Sequence, residues 1–183
     1  MWQGTVVSLH ITSAEAAPMR SLQEAHAVPG KGLEGDRYFL GTGYFSRHHG
    51  PSHELTLVEV ETIDALNEEY EDLHIEPGDA RRNVVTRGVP LNHLVAHRFQ
   101  VGEVTLRGIR LCHPCLHIAN ITHHNLLSGL VNRGGLRVQI LTEGIIREGD
   151  LIVDLGKEDG FPLPDSVETD LLDDIPSTSG VLV

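Results

Sequence analysis

The feature that most restricts the fold is a series of short apolar runs, rich in β-branched residues, that end at glycines. Such runs predict β-strands, and strict alternation of apolar and polar residues predicts a strand with one face in the core. The predicted strands are residues 5–11 and the alternating run 136–141. Residues 98–101 and 104–106 are predicted to form a hairpin that turns at Gly102, and residues 145–146 and 151–153 are predicted to pair with each other.

Helical spacing is found in only a few places. Val60, Ile63, Leu66 and Tyr70 recur with the period of a helix and have acidic residues between them, which predicts an amphipathic helix over about residues 59–70. Shorter helices are predicted over residues 91–97, after Pro90, and over residues 124–131. Many short strands with isolated helices favour a mainly β fold, specifically a β-barrel with a few short helices.

Length and composition predict one domain and one extension. The 183 residues are 40% hydrophobic, which is enough for a single core without disulfides. Residues 156–183 contain seven acidic residues against one lysine, and three prolines interrupt them. We therefore expect a barrel domain over residues 1–155 and a solvated acidic extension over residues 156–183.

The charge of the chain bears on its partners and location. The formal net charge of −12 argues against non-specific nucleic-acid binding, because phosphates repel an acidic surface. No run approaches the ~18 apolar residues of a membrane-spanning helix. The first residues lack the basic and apolar regions of a signal peptide, so we expect a cytoplasmic protein with no membrane partner.

The segment that is richest in chemically active residues is Cys112-His113-Pro114-Cys115, which holds both cysteines of the chain. A thiolate is both a nucleophile and a soft metal ligand. The spacing alone leaves four alternatives: half of a zinc site, a redox dithiol, one reactive cysteine with a bystander, or two inert buried cysteines. A zinc set of Cys112, Cys115, His117, His123 and His124 matches no standard finger spacing.

Arginines adjoin glycine-rich turns in three places. Taken singly, each motif is more simply explained as a surface ion pair beside a tight turn. Taken together, they suggest an anionic ligand, because a guanidinium grips two oxygens at once and glycine turns expose backbone N–H groups. The three motifs are residues 32–37, which end in Asp36-Arg37; Arg81-Arg82-Asn83; and Arg133-Gly134-Gly135.

In order and spacing, these motifs resemble the MOSC domain, which is named for the C-terminal domain of molybdenum cofactor sulfurase. The resemblance covers roughly residues 2–153, and it depends on the order of the motifs because no single one is specific. The series is Gly35-Asp36-Arg37, residues 55–59 entering a helix, Arg81-Arg82-Asn83-Val84, residues 88–91, the hairpin at residues 99–102, Cys112-His113-Pro114-Cys115, Arg133-Gly134-Gly135, and residues 144–150.

The resemblance implies a β-barrel that holds a molybdenum cofactor, the metal complex of a pterin called molybdopterin. In relatives that reduce N-hydroxylated compounds, one cysteine ligates the metal, and Cys115 matches it. By position, Arg37, Arg81 and Asn83 match residues that contact the cofactor, and Arg133 is a further candidate. The family pattern does not require Cys112, and its role is open.

The resemblance also bears on activity and partners. From the sequence we expect neither the additional N-terminal barrel of the amidoxime-reducing relatives nor a ferredoxin-like domain. We therefore expect a molybdenum-dependent oxidoreductase that takes electrons from a separate redox partner and acts on a small molecule. The alternative is a sulfur carrier that receives a Cys115 persulfide from a cysteine desulfurase. A non-enzymatic zinc or anion-binding module, and a homodimer in which a second copy completes the pocket, also stay open.

Overall fold

The fold is mainly β. The computed structural model describes residues 2–46, 50–70, 74–114, 118, 120, 122 and 125–161. The strands are β1 (Gln3–Ile11), β2 (Arg20–Leu22), β3 (Glu24–Val28), β4 (Gly32–Leu33), β5 (Leu55–Glu59), β6 (Val84–Arg87), β7 (His97–Val101), β8 (Val104–Leu111), β9 (Leu136–Ile140), β10 (Gly144–Arg147) and β11 (Leu151–Lys157). The α-helices include α1 (Arg37–Leu40), α2 (Val60–Glu69) and α3 (Asn125–Gly129).

Seven strands close into a barrel. Their order is β11-β7-β8-β9-β5-β6-β1, and β11 also pairs with β1 and completes the ring. The pairing of β5 with β6 is parallel, whereas the other barrel pairings of the described strands are antiparallel. Strand β2 pairs with β1 outside the ring, and β10, β3 and β4 form a separate small sheet. The predicted β-barrel with a few short helices is confirmed.

The barrel interior is a continuous apolar core to which each of the seven strands contributes. Inward-facing side chains with no exposed surface are Leu9, Leu57, Val84, Phe99, Leu106, Val138 and Ile152. Each buried side chain of this size stabilises the fold by roughly 1.5–3 kcal/mol relative to exposure. A second apolar cluster forms where α2 packs, through Ile63 and Leu66, against Leu126 and Leu130 near α3. The core therefore makes the barrel a rigid support for the residues at its rim.

Local patterns predicted several elements correctly. The strand predicted over residues 5–11 is β1, and the predicted hairpin is β7 and β8, with Gly102 at a positive φ of 57°. The amphipathic helix predicted over residues 59–70 is α2. The predicted helix 124–131 is observed as the shorter α3, and His124 lies outside the described residues.

Two predictions of local structure are wrong. The runs 145–146 and 151–153 do not pair with each other, because β10 pairs with β3 and β11 pairs with β7 and β1. The turn at Gly149 thus separates two sheets instead of closing a hairpin. The predicted helix 91–97 is only a 3₁₀ turn, Leu91–His93, because Ala96 takes a left-handed φ of 62° and β7 begins at His97.

The last described residues run along the barrel. Strand β11 continues to Lys157, and the Glu158 carboxylate accepts hydrogen bonds of 2.7 and 2.8 Å from Arg107 on β8. The ring of Phe161 stacks on the same guanidinium, at 4.6 Å. Residues 162–183 lie outside the described residues, so the predicted domain boundary at residue 155 stays a prediction. Within the described part, no helix is long and apolar enough to cross a membrane.

Candidate functional site: an arginine-lined cleft

An open cleft brings four arginines together: Arg37, Arg81, Arg82 and Arg137. Three neighbouring barrel strands and the segments next to them supply one part of its wall. Thr56 lies on β5, Arg81 and Arg82 precede β6, and Arg137 lies on β9. The register of β5 and β9 places Thr56 directly opposite Arg137. Arg37, the last residue of the glycine motif 32–37 and the first residue of α1, also lines the cleft.

Arg37 is held by the buried carboxylate of Asp36. Asp36 caps the N-terminus of α1 by accepting a hydrogen bond from the Tyr38 amide, and it also accepts one from the Thr12 amide, both at 3.2 Å. The same carboxylate accepts a 3.2 Å hydrogen bond from Arg37 Nη1. A buried ion pair with this many hydrogen bonds fixes the guanidinium at the cleft wall. The Asp36-Arg37 motif at the end of the glycine loop thus forms a buried ion pair instead of a surface one.

Arg81 takes an unusual backbone conformation. It follows the 3₁₀ turn Pro77–Ala80, which is closed by a capping box, and its φ of 56° lies in the left-handed region. A non-glycine residue held there costs about 1–3 kcal/mol and persists only where its surroundings enforce it. Its guanidinium donates to the carbonyl of Glu15 at 2.6 Å and to that of Ala17 at 3.0 Å. These bonds hold the side chain across the cleft wall.

Arg82 is anchored by the glycine motif that follows α3. Its Nε donates to the Gly134 carbonyl at 2.9 Å, and its Nη1 donates to the Ala80 carbonyl at 3.1 Å. Gly134 has to be small, because a Cβ built there would lie 2.1 Å from the carbonyl oxygen of Cys112. The glycines of this motif therefore position the site indirectly, because they hold Arg82 and Cys112 in place.

Arg137 is a site residue that sequence reasoning missed. Alternation along residues 136–141 predicted a half-buried strand whose polar residues face solvent, but Arg137 is only 6% exposed. Its guanidinium stacks on the Phe45 ring, 5.0 Å from the centroid, and Nη1 donates to the Ser52 carbonyl at 3.3 Å. A charged residue between buried β-branched and leucine residues was the available signal. What covers the outer face of β9 could not be read from the strand alone.

The cleft carries an excess of positive charge. Burial and the neighbouring charges of Arg37 and Arg82 lower the pKa of the Arg81 guanidinium. Asp36 is the buried carboxylate that pairs with one of the four arginines, and Glu15, the acidic residue on the wall, is exposed. Within the described residues, Arg81 and Arg82 donate only to backbone carbonyls. Because buried like charges are costly, this arrangement is suited to an anion.

Cys112 lies in the same cleft and is 3% exposed. Its amide donates a 2.8 Å hydrogen bond to the Gly135 carbonyl, which fixes the end of β8 against the glycine motif. Burial raises the pKa of the Cys112 thiol, but the charges of Arg82, Arg137, Arg110 and Arg37 outweigh it, so that the pKa is lowered overall. The cleft therefore favours the thiolate.

Aromatic rings form another part of the wall. Tyr38, Tyr44 and Phe45 line the cleft. Tyr44 and Phe45 meet edge to face, with ring centroids 5.0 Å apart, and the Arg37 guanidinium lies 4.7 Å from the Tyr38 ring centroid. Ring faces next to guanidinium groups are suited to a flat, partly anionic ligand.

The other predicted site residues are placed differently. Asn83, just before β6, is fully buried and bonds to two other strands: its Oδ1 accepts from the Thr56 amide and hydroxyl on β5, and its Nδ2 donates to the His10 carbonyl on β1. Arg133 does not line the cleft, since its guanidinium grips the Glu69 carboxylate at the end of α2 with bonds of 2.8 and 2.5 Å. The contacts predicted between these two residues and a cofactor stay predictions.

Several predicted ligands lie outside the described residues. These are Cys115, His117, His123 and His124. Among the described residues, no group of three or more histidine, cysteine or acidic side chains is arranged to hold a metal ion. The role of Cys115 as metal ligand therefore stays a prediction.

The fold and the site define a small β-barrel protein with an arginine-lined cleft. A family model described as MOSC domain matches residues 45–153, more than half of the chain. The chain belongs to the MOSC domain family, as the motif order predicted.

Solved structures share the fold. The YuaD protein from Bacillus subtilis is 16% identical, with a TM-score of 0.70, over 83% of this chain and 97% of that one. YiiM from Geobacillus stearothermophilus is 13% identical, with a TM-score of 0.67, over 86% of this chain and 77% of that one. YiiM from Escherichia coli is 16% identical, with a TM-score of 0.61, over 84% and 71%. A search of curated proteins gives no match.

Proposed function

We propose that this protein binds the molybdenum cofactor in the arginine-lined cleft, with Cys115 as the protein ligand of the metal. The observation that carries the proposal is the convergence of four buried guanidinium groups on one cleft in a chain whose net charge is −12. Positive charge concentrated in this way against the overall charge supports a dedicated anion site. Membership of the MOSC family supports the choice of anion.

The residues of the cleft fit the chemistry of this cofactor. Molybdopterin ends in a phosphate, for which guanidinium forks are well-matched donors. Its pterin is flat, and Tyr38 and Tyr44 offer ring faces beside the arginines. Molybdenum prefers soft sulfur ligands; Cys112 lines the cleft, and Cys115 follows it three residues later in the chain. Arg37, Arg81 and Arg82 would hold the anionic end, whereas Cys115 would supply a thiolate.

When bound, the cofactor would supply two-electron reduction of an N–O bond in a small N-hydroxylated compound. The part of the chain in that reaction is to bind and orient. Arg81 and Arg82 would hold the anionic group of the cofactor at a fixed position. Their hydrogen bonds to backbone carbonyls keep both guanidinium groups in place. We propose that the electrons come from a separate redox protein.

Cofactor content tests the proposal without an activity assay. The full-length chain is expressed in a molybdenum-supplemented host, and molybdenum and pterin are measured per chain. We expect near-stoichiometric amounts in the wild type and a large loss in Cys115→Ser, because the metal loses its protein ligand. Molybdenum below about a tenth of stoichiometry in the wild type, or equal loading in Cys115→Ser, would refute the proposal. A reductant-sensitive sulfur adduct on Cys115 in place of the metal would favour the sulfur-carrier alternative.

A further inference from the structure

Cys112 is a buried thiol in the cleft to which the proposed function gives no role. It is free, is 3% exposed and lines the cleft, and its amide is tied to Gly135. The cleft that Cys112 lines is open to solvent. Most buried cysteines are inert because their surroundings are apolar, and this one is surrounded by charge.

The positive charge around Cys112 comes from separate parts of the fold. Arg82 precedes β6, Arg110 lies on β8, Arg137 lies on β9, and Arg37 begins α1. Each of them acts electrostatically on the Cys112 thiol in the direction that favours the thiolate. The nucleophilic form of the sulfur is therefore stabilised from several elements, with Arg82 the largest of these charge contributions.

Arg82 also has an unused donor. Its Nε and Nη1 donate to the carbonyls of Gly134 and Ala80, whereas its Nη2 donates no hydrogen bond within the described part of the chain. The residue is 7% exposed and lines the cleft. A buried guanidinium with a donor to spare can hold an incoming anion beside the sulfur.

We propose that Cys112 is a nucleophilic site that selects small anionic electrophiles, because the arginines of the cleft hold the negative group while the sulfur attacks. In ordinary thiolates, charge repulsion slows attack on an anionic reagent relative to its neutral analogue. A cluster of buried guanidinium groups reverses this order by concentrating anions at the sulfur. The proposal concerns the cleft without a cofactor and does not rest on molybdenum binding.

Iodoacetate and iodoacetamide form a matched pair of probes that differ mainly in charge. In both, the Cys112 thiolate forms an S–C bond while the C–I bond breaks and iodide leaves with the electron pair. The full-length Cys115→Ser variant confines labelling to Cys112, and intact-mass measurement gives both rates. We expect iodoacetate to label the folded protein about tenfold faster than iodoacetamide. The unfolded protein should show the opposite order, and inorganic phosphate should slow iodoacetate in the folded protein.

Variants separate charge from structure. Arg82→Gln in the same background should lower the rate ratio towards that of the unfolded chain, and Arg82→Lys should keep most of it. Arg98→Gln removes an exposed arginine of β7 and should leave the ratio unchanged. If Arg82→Gln does not fold, the phosphate competition decides. Faster labelling by iodoacetamide, an unchanged ratio in folded Arg82→Gln, or labelling only after unfolding would overturn the proposal.

Discussion

The Cys112 amide donates a 2.8 Å hydrogen bond to the carbonyl of Gly135, so the cysteine of the cleft is placed by a glycine that has no room for a side chain. Gly135 has a φ of +97°, and a Cβ built on it would lie 1.8 Å from the carbonyl oxygen of Leu57 on β5. The glycine thus lets the chain pass against the barrel wall while it holds the end of β8. The same glycine therefore affects both the stability of the barrel and the position of Cys112 in the cleft.

Gly135→Ala should therefore destabilise the protein strongly. The left-handed φ alone costs about 1–2 kcal/mol for a residue with a Cβ, and the backbone clash adds to it, for a total loss of about 3 kcal/mol or more. Gly149→Ala is the matched control, because its φ of +84° is equally left-handed but nothing lies within 4 Å. Chemical denaturation of both variants measures the difference. Equal losses of unfolding free energy in the two variants would show that the close contact with the Leu57 carbonyl does not add to the cost.

The elements that sequence reasoning found are those that local pattern determines. Alternation located β1 and the β7–β8 hairpin, and a helical period located α2. The pairing of β10 with β3 could not be found in this way, because it joins residues that are distant in the chain and depends on how the barrel closes. The motif order, by contrast, identified the family as a whole.

Only part of the site was predictable from the sequence. Arg37 and Arg81 stood out because each adjoins a turn that needs special backbone geometry, and both line the cleft. Arg137 did not stand out, since alternation assigns it to the outer face of β9, and only the fold shows that Phe45 and Ser52 cover that face. Arg133 resembled Arg81 in sequence, yet its charge is paired with Glu69.

Asp36 should be essential for stability, because it serves both a helix cap and a buried guanidinium. Asp36→Ala removes acceptors from the amides of Thr12 and Tyr38 and leaves Arg37 buried without its carboxylate. Loss of one partner of a buried ion pair costs about 3–5 kcal/mol. Asp64→Ala on the exposed face of α2 is the control and should cost well under 1 kcal/mol. Thermal unfolding of the two variants tests this, and a small effect at Asp36 would contradict it.

Arg82 should matter for cofactor content more than an exposed arginine does. A hydrogen bond to a charged group is worth about 1.5–3 kcal/mol, so we expect Arg82→Gln to weaken retention of an anionic cofactor about tenfold or more. Arg98→Gln changes the net charge equally and should retain the wild-type content, because Arg98 is exposed on β7. Pterin fluorescence after dialysis measures retention. Equal losses in both variants would indicate a general charge effect and not a contact in the cleft.

His26 should make stability depend on pH near neutrality. Its ring lies between two carboxylates, with Nδ1 3.1 Å from Glu34 and Nε2 2.9 Å from Glu143. Hydrogen bonds to Glu34 and then to Glu143, with the charges of both, raise the pKa of His26 above its usual 6.5, although partial desolvation opposes them. The protonated ring thus joins β3 to the residues before β10.

The sign of the effect follows from this raised pKa. Because the folded state binds the proton more tightly than the unfolded state, the contribution to stability is complete below about pH 6.5 and is lost as the pH rises through the raised value. We expect His26→Gln to lower the unfolding midpoint at pH 6 and to have little effect at pH 9. Because the site is exposed, salt screens its charges, so added salt should reduce the difference in unfolding midpoint between wild type and variant at pH 6. A difference between wild type and variant that is constant from pH 6 to 9 would mean that the imidazolium is not the stabilising form.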